Sequence, residues 1–264
     1  MAMEFCTLVS GSSGNCTYMG TKHTKILVDV GVSGKKIESG LAELSVQGSE
    51  IDGIFITHEH LDHIKGAGVF SRRYNVPIYA TFDTWRAMED TLGKIAPDNR
   101  RYVYPEENCI LNDLCIQPFS IPHDAAEPVG FSVFGAGRKI TVATDLGCVT
   151  DTIKEHIADS QILLLEANHD VDMLKNGPYP WHLKQRVLSD VGHLSNMNAG
   201  GLLAEVMSGK MEHVLLGHLS AENNEPALAY HTVERVLACS KIQVGKHIHM
   251  EMANRNFNGR KIEI

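Results

Sequence analysis

Four side chains able to bind metal stand within six residues of one another: His58, His60, Asp62 and His63, in the run His58-Glu59-His60-Leu61-Asp62-His63. They follow residues 52–57 (DGIFIT), an apolar run that reads as a short buried strand. A strand that opens into such a loop aims several side chains at one crevice. Four ligands in so short a run are too many for one ion and right for two adjacent ones. His58 and His60 project from the same side, and Asp62 and His63 turn towards a neighbouring point. Imidazole suits zinc, iron and manganese, and carboxylate suits harder ions. A surface or capping role accounts for a lone histidine after a strand but not for this cluster. The zinc-protease pattern H-E-x-x-H is not met, because Asp62 stands four residues after His58.

The rest of the chain must build a frame that holds this loop. Strands are expected over 4–10, 15–20, 25–30, 52–57, 77–81, 114–121, 129–135, 138–144, 162–167, 213–217 and 246–254. Helices are expected over 33–44, 64–74, 83–95, 150–159, 197–208 and 226–239. The run 162–167 (ILLLEA) is continuously apolar, as a strand buried on both faces should be. A β-rich stretch followed by helices, twice over, suits a four-layer αββα sandwich, read as a single domain over residues 1–264. Three more ligand candidates close apolar runs: His123 after 115–121, Asp145 after 138–144, and His218 after 213–217.

Composition excludes several alternatives. Apolar residues are 43% and charged residues 21%, so a core is available and disorder is not expected. No apolar run approaches the roughly 18–20 residues of a membrane span. Residues 1–9 lack the basic start of a secretory signal, so a cytoplasmic location is expected, with no membrane partner. Lys and Arg number 24 against 32 Asp and Glu, a net charge of −8, which disfavours a broad basic nucleic-acid face. Cys6, Cys16, Cys109, Cys115, Cys148 and Cys239 contain no C-x-x-C pair, so they read as buried small hydrophobes in a reducing compartment.

With these residues the chain resembles the metallo-β-lactamase superfamily over essentially its full length. The resemblance implies the αββα fold with the site at one sandwich edge. It implies two divalent ions (Zn²⁺ or Mn²⁺, with Fe²⁺ also admissible). His58, His60 and His123 would hold the first, Asp62, His63 and His218 the second, and Asp145 would bridge them. β-Lactamases proper commonly carry Cys where this chain has Asp145, and the flavodiiron branch carries Glu where it has His60; both departures point to the phosphodiesterase and thioesterase branches. A narrower likeness lies in Ser10-Gly11-Ser12-Ser13-Gly14-Asn15, Glu166-Ala167-Asn168-His169-Asp170, Gly192-His193-Leu194-Ser195-Asn196 and His218-Leu219-Ser220. These resemble the YycJ-type, WalJ-like bacterial proteins related to ribonuclease Z, which implies a nuclease acting on DNA from a 5′ end through a metal-activated hydroxide.

The same resemblance implies that Glu166 orients the His193 imidazole beside the scissile phosphate, and Asp62 is expected to position the attacking hydroxide or take its second proton while also binding metal. A carboxylate partner favours imidazolium, which can donate to a phosphate or a leaving oxygen. The alternative is that Glu166 caps a helix and His193 is a loop residue. Ser12, Ser13 and Asn15 lie in a small-residue loop that is either an anion cradle or a tight hairpin turn. Ser195 and Asn196 make an N-cap for the helix that follows and stand where a phosphate could be received, while His169 opens a helix past Glu166. Ser220 completes the candidate substrate contacts. Rival functions are hydrolysis of a thioester, lactone or cyclic phosphodiester on the same fold, and a non-catalytic nucleic-acid-binding relative.

Overall fold

The computed structural model describes residues 2–264. Among them two seven-stranded sheets stack face to face. The first contains β1 (Glu4–Val9), β2 (Cys16–Gly20), β3 (Lys25–Val28), β4 (Gly53–Phe55), β5 (Ile78–Ala80) and β6 (Arg100–Tyr102). The second contains β7 (Cys109–Leu111), β8 (Leu114–Ser120), β9 (Val129–Gly135), β10 (Arg138–Ala143), β11 (Ile162–Glu166), β12 (His213–Gly217) and β13 (His249–Met252). The last strand, β14 (Ile262–Glu263), returns to the first sheet beside β1. The sheet orders are β14-β1-β2-β3-β4-β5-β6 and β13-β12-β11-β10-β9-β8-β7.

Side-chain alternation divides the core into three layers. In β11, Ile162 and Leu164 face the other sheet, where they join Phe5, Ile26, Phe55 and Phe131. Leu163 and Leu165 point the other way, into a cluster with Ile153, Leu203 and Val233. Those last three lie on α5 (Asp151–Ile157), α8 (Asn196–Val206) and α9 (Pro226–Cys239). The first sheet is covered in the same way by Ile37 and Leu41 of α1 (Gly34–Glu43), Phe70 of α3 (Ala67–Tyr74), and Trp85 and Met88 of α4 (Phe82–Leu92). Strands buried on both faces cannot show polar alternation, which is why 162–167 reads as an unbroken apolar run. The result is the αββα sandwich.

Several boundaries differ from the sequence expectation. The helix expected over 64–74 is shortened to α3, and the end of the ligand run, expected as loop, forms a separate short helix, α2 (Leu61–Ile64), with Gly66 between the two. The Gly66 N–H donates to Val30 O at 2.8 Å, and a Cβ there would stand 2.1 Å from Val32 O. Close backbone contact interrupts a pattern that is otherwise helical. Strands β6, β7 and β14 and the helices α6 (Val171–Asn176) and α7 (Trp181–Val187) carry too few residues to show a period. The cysteines are also less uniform than expected: Cys6 and Cys16 are buried, Cys109, Cys115 and Cys148 half-buried, and Cys239 exposed. No helix among the described residues is long and apolar enough to cross a membrane.

Candidate metal centre

The site gathers at the C-terminal ends of strands. β10, β11 and β12 run parallel, and β8 runs the same way as β10 because each is antiparallel to β9. Their ends therefore lie along one edge, where loops are free to converge. His123 follows β8, Asp145 follows β10, Glu166 ends β11 and His218 follows β12. The run from His58 to His63 comes from β4 in the facing sheet.

His58, His60 and His123 meet. His58 Nε2 lies 3.1 Å from His60 Nδ1, and His123 Nε2 lies 3.3 Å from the same atom. The remaining nitrogen of His123 donates to Gly192 O at 3.1 Å, and that of His58 is 3.0 Å from Thr57 Oγ1. With Nδ1 so engaged, the lone pairs of His58 and His123 converge on His60. That is the donor set of a metal site, with outer partners fixing each ring.

Asp62, His63 and His218 form a second group. Asp62 Oδ2 is 3.4 Å from both His63 Nε2 and His218 Nε2. Asp145 lies between the groups: Oδ2 is 3.3 Å from His63 Nε2, while Oδ1 is 3.4 Å from His218 Nε2 and 3.7 Å from His123 Nε2. Asp145 Oδ2 is buried and has no hydrogen-bond partner. A buried anionic oxygen left without a donor is costly unless a cation meets it, so the residues fit divalent metal.

Charge within the cluster agrees. Burial pushes Asp62 up, but His63 and the hydrogen bonds from His218 and His63 hold it far below the usual carboxylate range. Burial disfavours charge on His218, yet Asp145, Asp62 and Glu166 raise it to about 10. His63 is raised in the same way by Asp29, Asp145 and Asp62 against its burial. His58 is lowered by burial and by His63, His123 and His60. Positive charge is thus favoured beside the carboxylates, at His63 and His218, and disfavoured among the crowded imidazoles of His58 and His123.

Sequence reading missed Asp29. Its Oδ2 accepts from His63 Nδ1 at 2.8 Å, and its carboxylate also accepts from the Thr57 N–H at 2.9 Å and the Thr57 hydroxyl. It sits at the end of β3, far from the motif in sequence. Asp29, Asp145 and His218 all have positive φ, at 58°, 60° and 54°. Non-glycine residues rarely hold that conformation, and it concentrates where backbone strain serves a site.

Glu166 is fully buried. Its Oε1 accepts from His193 Nδ1 at 2.7 Å and from His218 Nδ1 at 3.1 Å. Its Oε2 accepts from the Leu146 N–H at 2.7 Å and the Leu194 N–H at 3.1 Å. It therefore caps no helix; it ties three loops together. Burial would raise it, but His193 and His218 hold it well below the carboxylate range. Burial disfavours imidazolium at His193, and Glu166 and Asp145 outweigh that to raise it.

The other candidates fall in different places. In the loop after β1, the N–H groups of Gly11, Ser12, Gly14 and Asn15 are all spent on protein acceptors. The loop works as a tight turn, with no row of free N–H groups for an anion. Asn15 Nδ2 lies 3.2 Å from His63 Nε2 and 3.5 Å from Asp62 Oδ2, so it braces the second group. Ser13 is exposed. Ser12 and Ser220 line a cavity of about 150 Å³ that also reaches His193. Ser195 caps α8, accepting from the Asn198 N–H, and Asn196 is buried against Asn224. His169 is buried with neither ring nitrogen hydrogen-bonded, while its neighbour Asp170 caps α6.

A family model described as a β-lactamase superfamily domain matches residues 24–218, which spans this whole ligand set. The chain belongs to the metallo-β-lactamase superfamily. Within it, the chain is 41% identical over 246 residues to the exodeoxyribonuclease YycJ of Bacillus anthracis, covering 93% of each. It is 40% identical over 247 residues to the exodeoxyribonuclease WalJ of Streptococcus pneumoniae, covering 93% of this chain and 92% of that one. The fold is shared with the metallo-β-lactamase fold protein YhfI of Bacillus subtilis, at a TM-score of 0.73 and 14% identity, over 98% of this chain and 99% of that one.

Proposed function

We propose that the chain is a two-metal phosphodiesterase that removes nucleotides from a DNA end, and we take that end to be the 5′ one. The observation that carries the reading is the Glu166–His193 pair. His193 stands 3.6 Å from Asp145 Oδ1, beside both ligand groups, yet its Nδ1 is committed to Glu166. Held as imidazolium, it serves a phosphate or a departing oxygen better than a metal. The names of the 41% and 40% identical relatives support DNA as substrate.

His58, His60 and His123 would hold one ion, and Asp62, His63 and His218 the other, with Asp145 shared. When bound, such ions act as Lewis acids on a phosphoryl oxygen and lower the pKa of water. Asp62, about a quarter exposed, orients the attacking water. His193 places its Nε2 proton at the oxygen that leaves phosphorus, and Glu166 keeps the ring oriented and charged. Zinc and manganese both suit this mixed nitrogen and oxygen set, and iron(II) is compatible with it. The free cysteines support a reducing compartment, and we place the protein in the cytoplasm. The two sheets and their helices serve as one hydrolase domain.

The test is a panel of 5′- and 3′-labelled single- and double-stranded oligonucleotides, with bis(p-nitrophenyl) phosphate alongside, under Mn²⁺ or Zn²⁺ loading. His193→Ala should retain both metals and lose about 10²–10³ in turnover. Intact nucleic acids together with rapid opening of a thioester or lactone would overturn the nuclease reading.

A further inference from the structure

The cavity beside His193 differs from the ligand clusters in what lines it. Leu183 and Val187 of α7, with Tyr179 just before that helix, supply an apolar and aromatic side. Asn168, Asn223 and Arg186 supply a polar side. Asp124 also reaches the lining, with its Oδ1 turned to His123 Nε2 at 3.5 Å. Asn223 itself is only 1% exposed.

The wall is fixed to the metal-centre loops. Lys184 Nζ donates to Lys175 O and Gly177 O at 2.7 and 2.8 Å, which ties α7 to the end of α6. Arg186 pairs with Asp124, the neighbour of His123. The His193 N–H donates to Val187 O at 3.0 Å, so the last turn of α7 sets the position of His193. At Gly192 a Cβ would stand 2.3 Å from Arg186 O and Val187 O, so this junction is closely packed.

A phosphate beside His193 puts its own nucleoside next to this cavity. The volume, about 150 Å³, is below the roughly 300–1,000 Å³ of a site that encloses a whole small-molecule ligand. It is large enough to take part of one nucleoside and too small to enclose a longer piece of chain. Aromatic faces stack on any base, and amides meet base edges. Resting on the nuclease reading above, we propose that this cavity receives the terminal nucleoside of a single DNA strand, its base stacked on Tyr179 and its polar edge turned to the side lined by Asn168, Arg186 and Asn223. Seating the last nucleoside there holds its phosphate beside His193 and favours cleavage from an end.

The test alters the substrate first. Two single-stranded oligonucleotides, identical except that one lacks the base of its terminal nucleotide, are compared with metal-loaded protein. Removing the base should lower kcat/KM about tenfold, in keeping with the worth of one stacked base. Tyr179→Ala should show the same loss on the intact strand and no further loss on the abasic one, while Tyr179→Phe stays near wild type. Equal turnover of the two strands by wild type would overturn the proposal, as would an equal Tyr179→Ala defect on both. A wild type that degrades no DNA would instead sink the nuclease reading. Titration with deoxyadenosine 5′-monophosphate then decides the cavity separately: Tyr179→Ala should weaken binding about tenfold, and unchanged binding would exclude the cavity as a nucleoside site.

Discussion

Glu166 Oε1 lies 2.7 Å from His193 Nδ1 and, through the same atom, 3.1 Å from the Nδ1 of His218. One buried oxygen therefore serves the imidazole proposed for the phosphate and an imidazole proposed for the metal. Sequence reasoning assigns Glu166 to His193 alone, which would make its loss the milder of the two. The shared oxygen gives Glu166 loss a metal defect that His193 loss lacks. Glu166→Gln should lower metal occupancy as well as turnover, by about 10–100-fold in affinity, as loss of a ligand's outer partner typically does. His193→Ala should leave occupancy intact. Elemental analysis of both variants at limiting metal checks the difference; full occupancy in Glu166→Gln would count against it.

Two ions per chain are expected, because the seven proposed ligands divide into two groups joined by Asp145. Asp145→Ala should deplete both ions, whereas His60→Ala should deplete one. A loaded wild type that holds a single ion would refute the division.

Asp29 should behave as a ligand partner even though it bonds to nothing outside the protein. Asp29→Asn removes the anionic acceptor of His63 Nδ1–H and perturbs the bonds to Thr57. Metal affinity should fall about 10–100-fold. Competition with a chelator of known affinity reads this directly, and a wild-type result would reduce Asp29 to a turn residue.

Gly31 lies against the ligand loop more closely than any side chain permits. A Cβ there would sit 1.6 Å from Asp62 O, which itself accepts from the Asn15 N–H at 2.8 Å. Gly31→Ala should displace the loop, costing about 1–3 kcal/mol as overpacking does, and should weaken metal binding with it. Thermal melts with and without metal test this; a variant as stable and as metal-retentive as wild type would refute it.

His169 gives the fold an acid-sensitive element. Burial, partly offset by Glu166 and reinforced by His193, lowers it to about 4 from an ordinary value near 6.5. Above about pH 6.5 the ring is neutral in both folded and unfolded chains. As pH falls from 6.5 to 4 the unfolded chain takes the proton first, so stability falls across that window and changes no further below it. The loss approaches about 3 kcal/mol. In metal-depleted protein, His169→Leu should gain on wild type by up to that amount between pH 7 and pH 4. Parallel stability curves in urea would show that the ring is protonated without cost.

The linear sequence determined the frame and the loop that carries four of the seven proposed metal ligands. Unbroken apolar runs such as 162–167 announce strands covered on both faces, and His58, His60, Asp62 and His63 are close in sequence, so local spacing alone reveals them. His123, Asp145 and His218 were legible because each closes such a run, and strand ends of a sandwich share an edge. Tertiary structure decided what depends on contacts between distant residues. Asp29 reaches His63 across 34 residues, and Glu166 reaches His218 across 52. Helix α7 and Asn223 make one cavity from separate segments. Asp29, Asp145 and His218 also share a positive φ that their residue types do not announce. No spacing rule encodes these relationships, because they arise only when packing brings the two sheets and their loops to one edge.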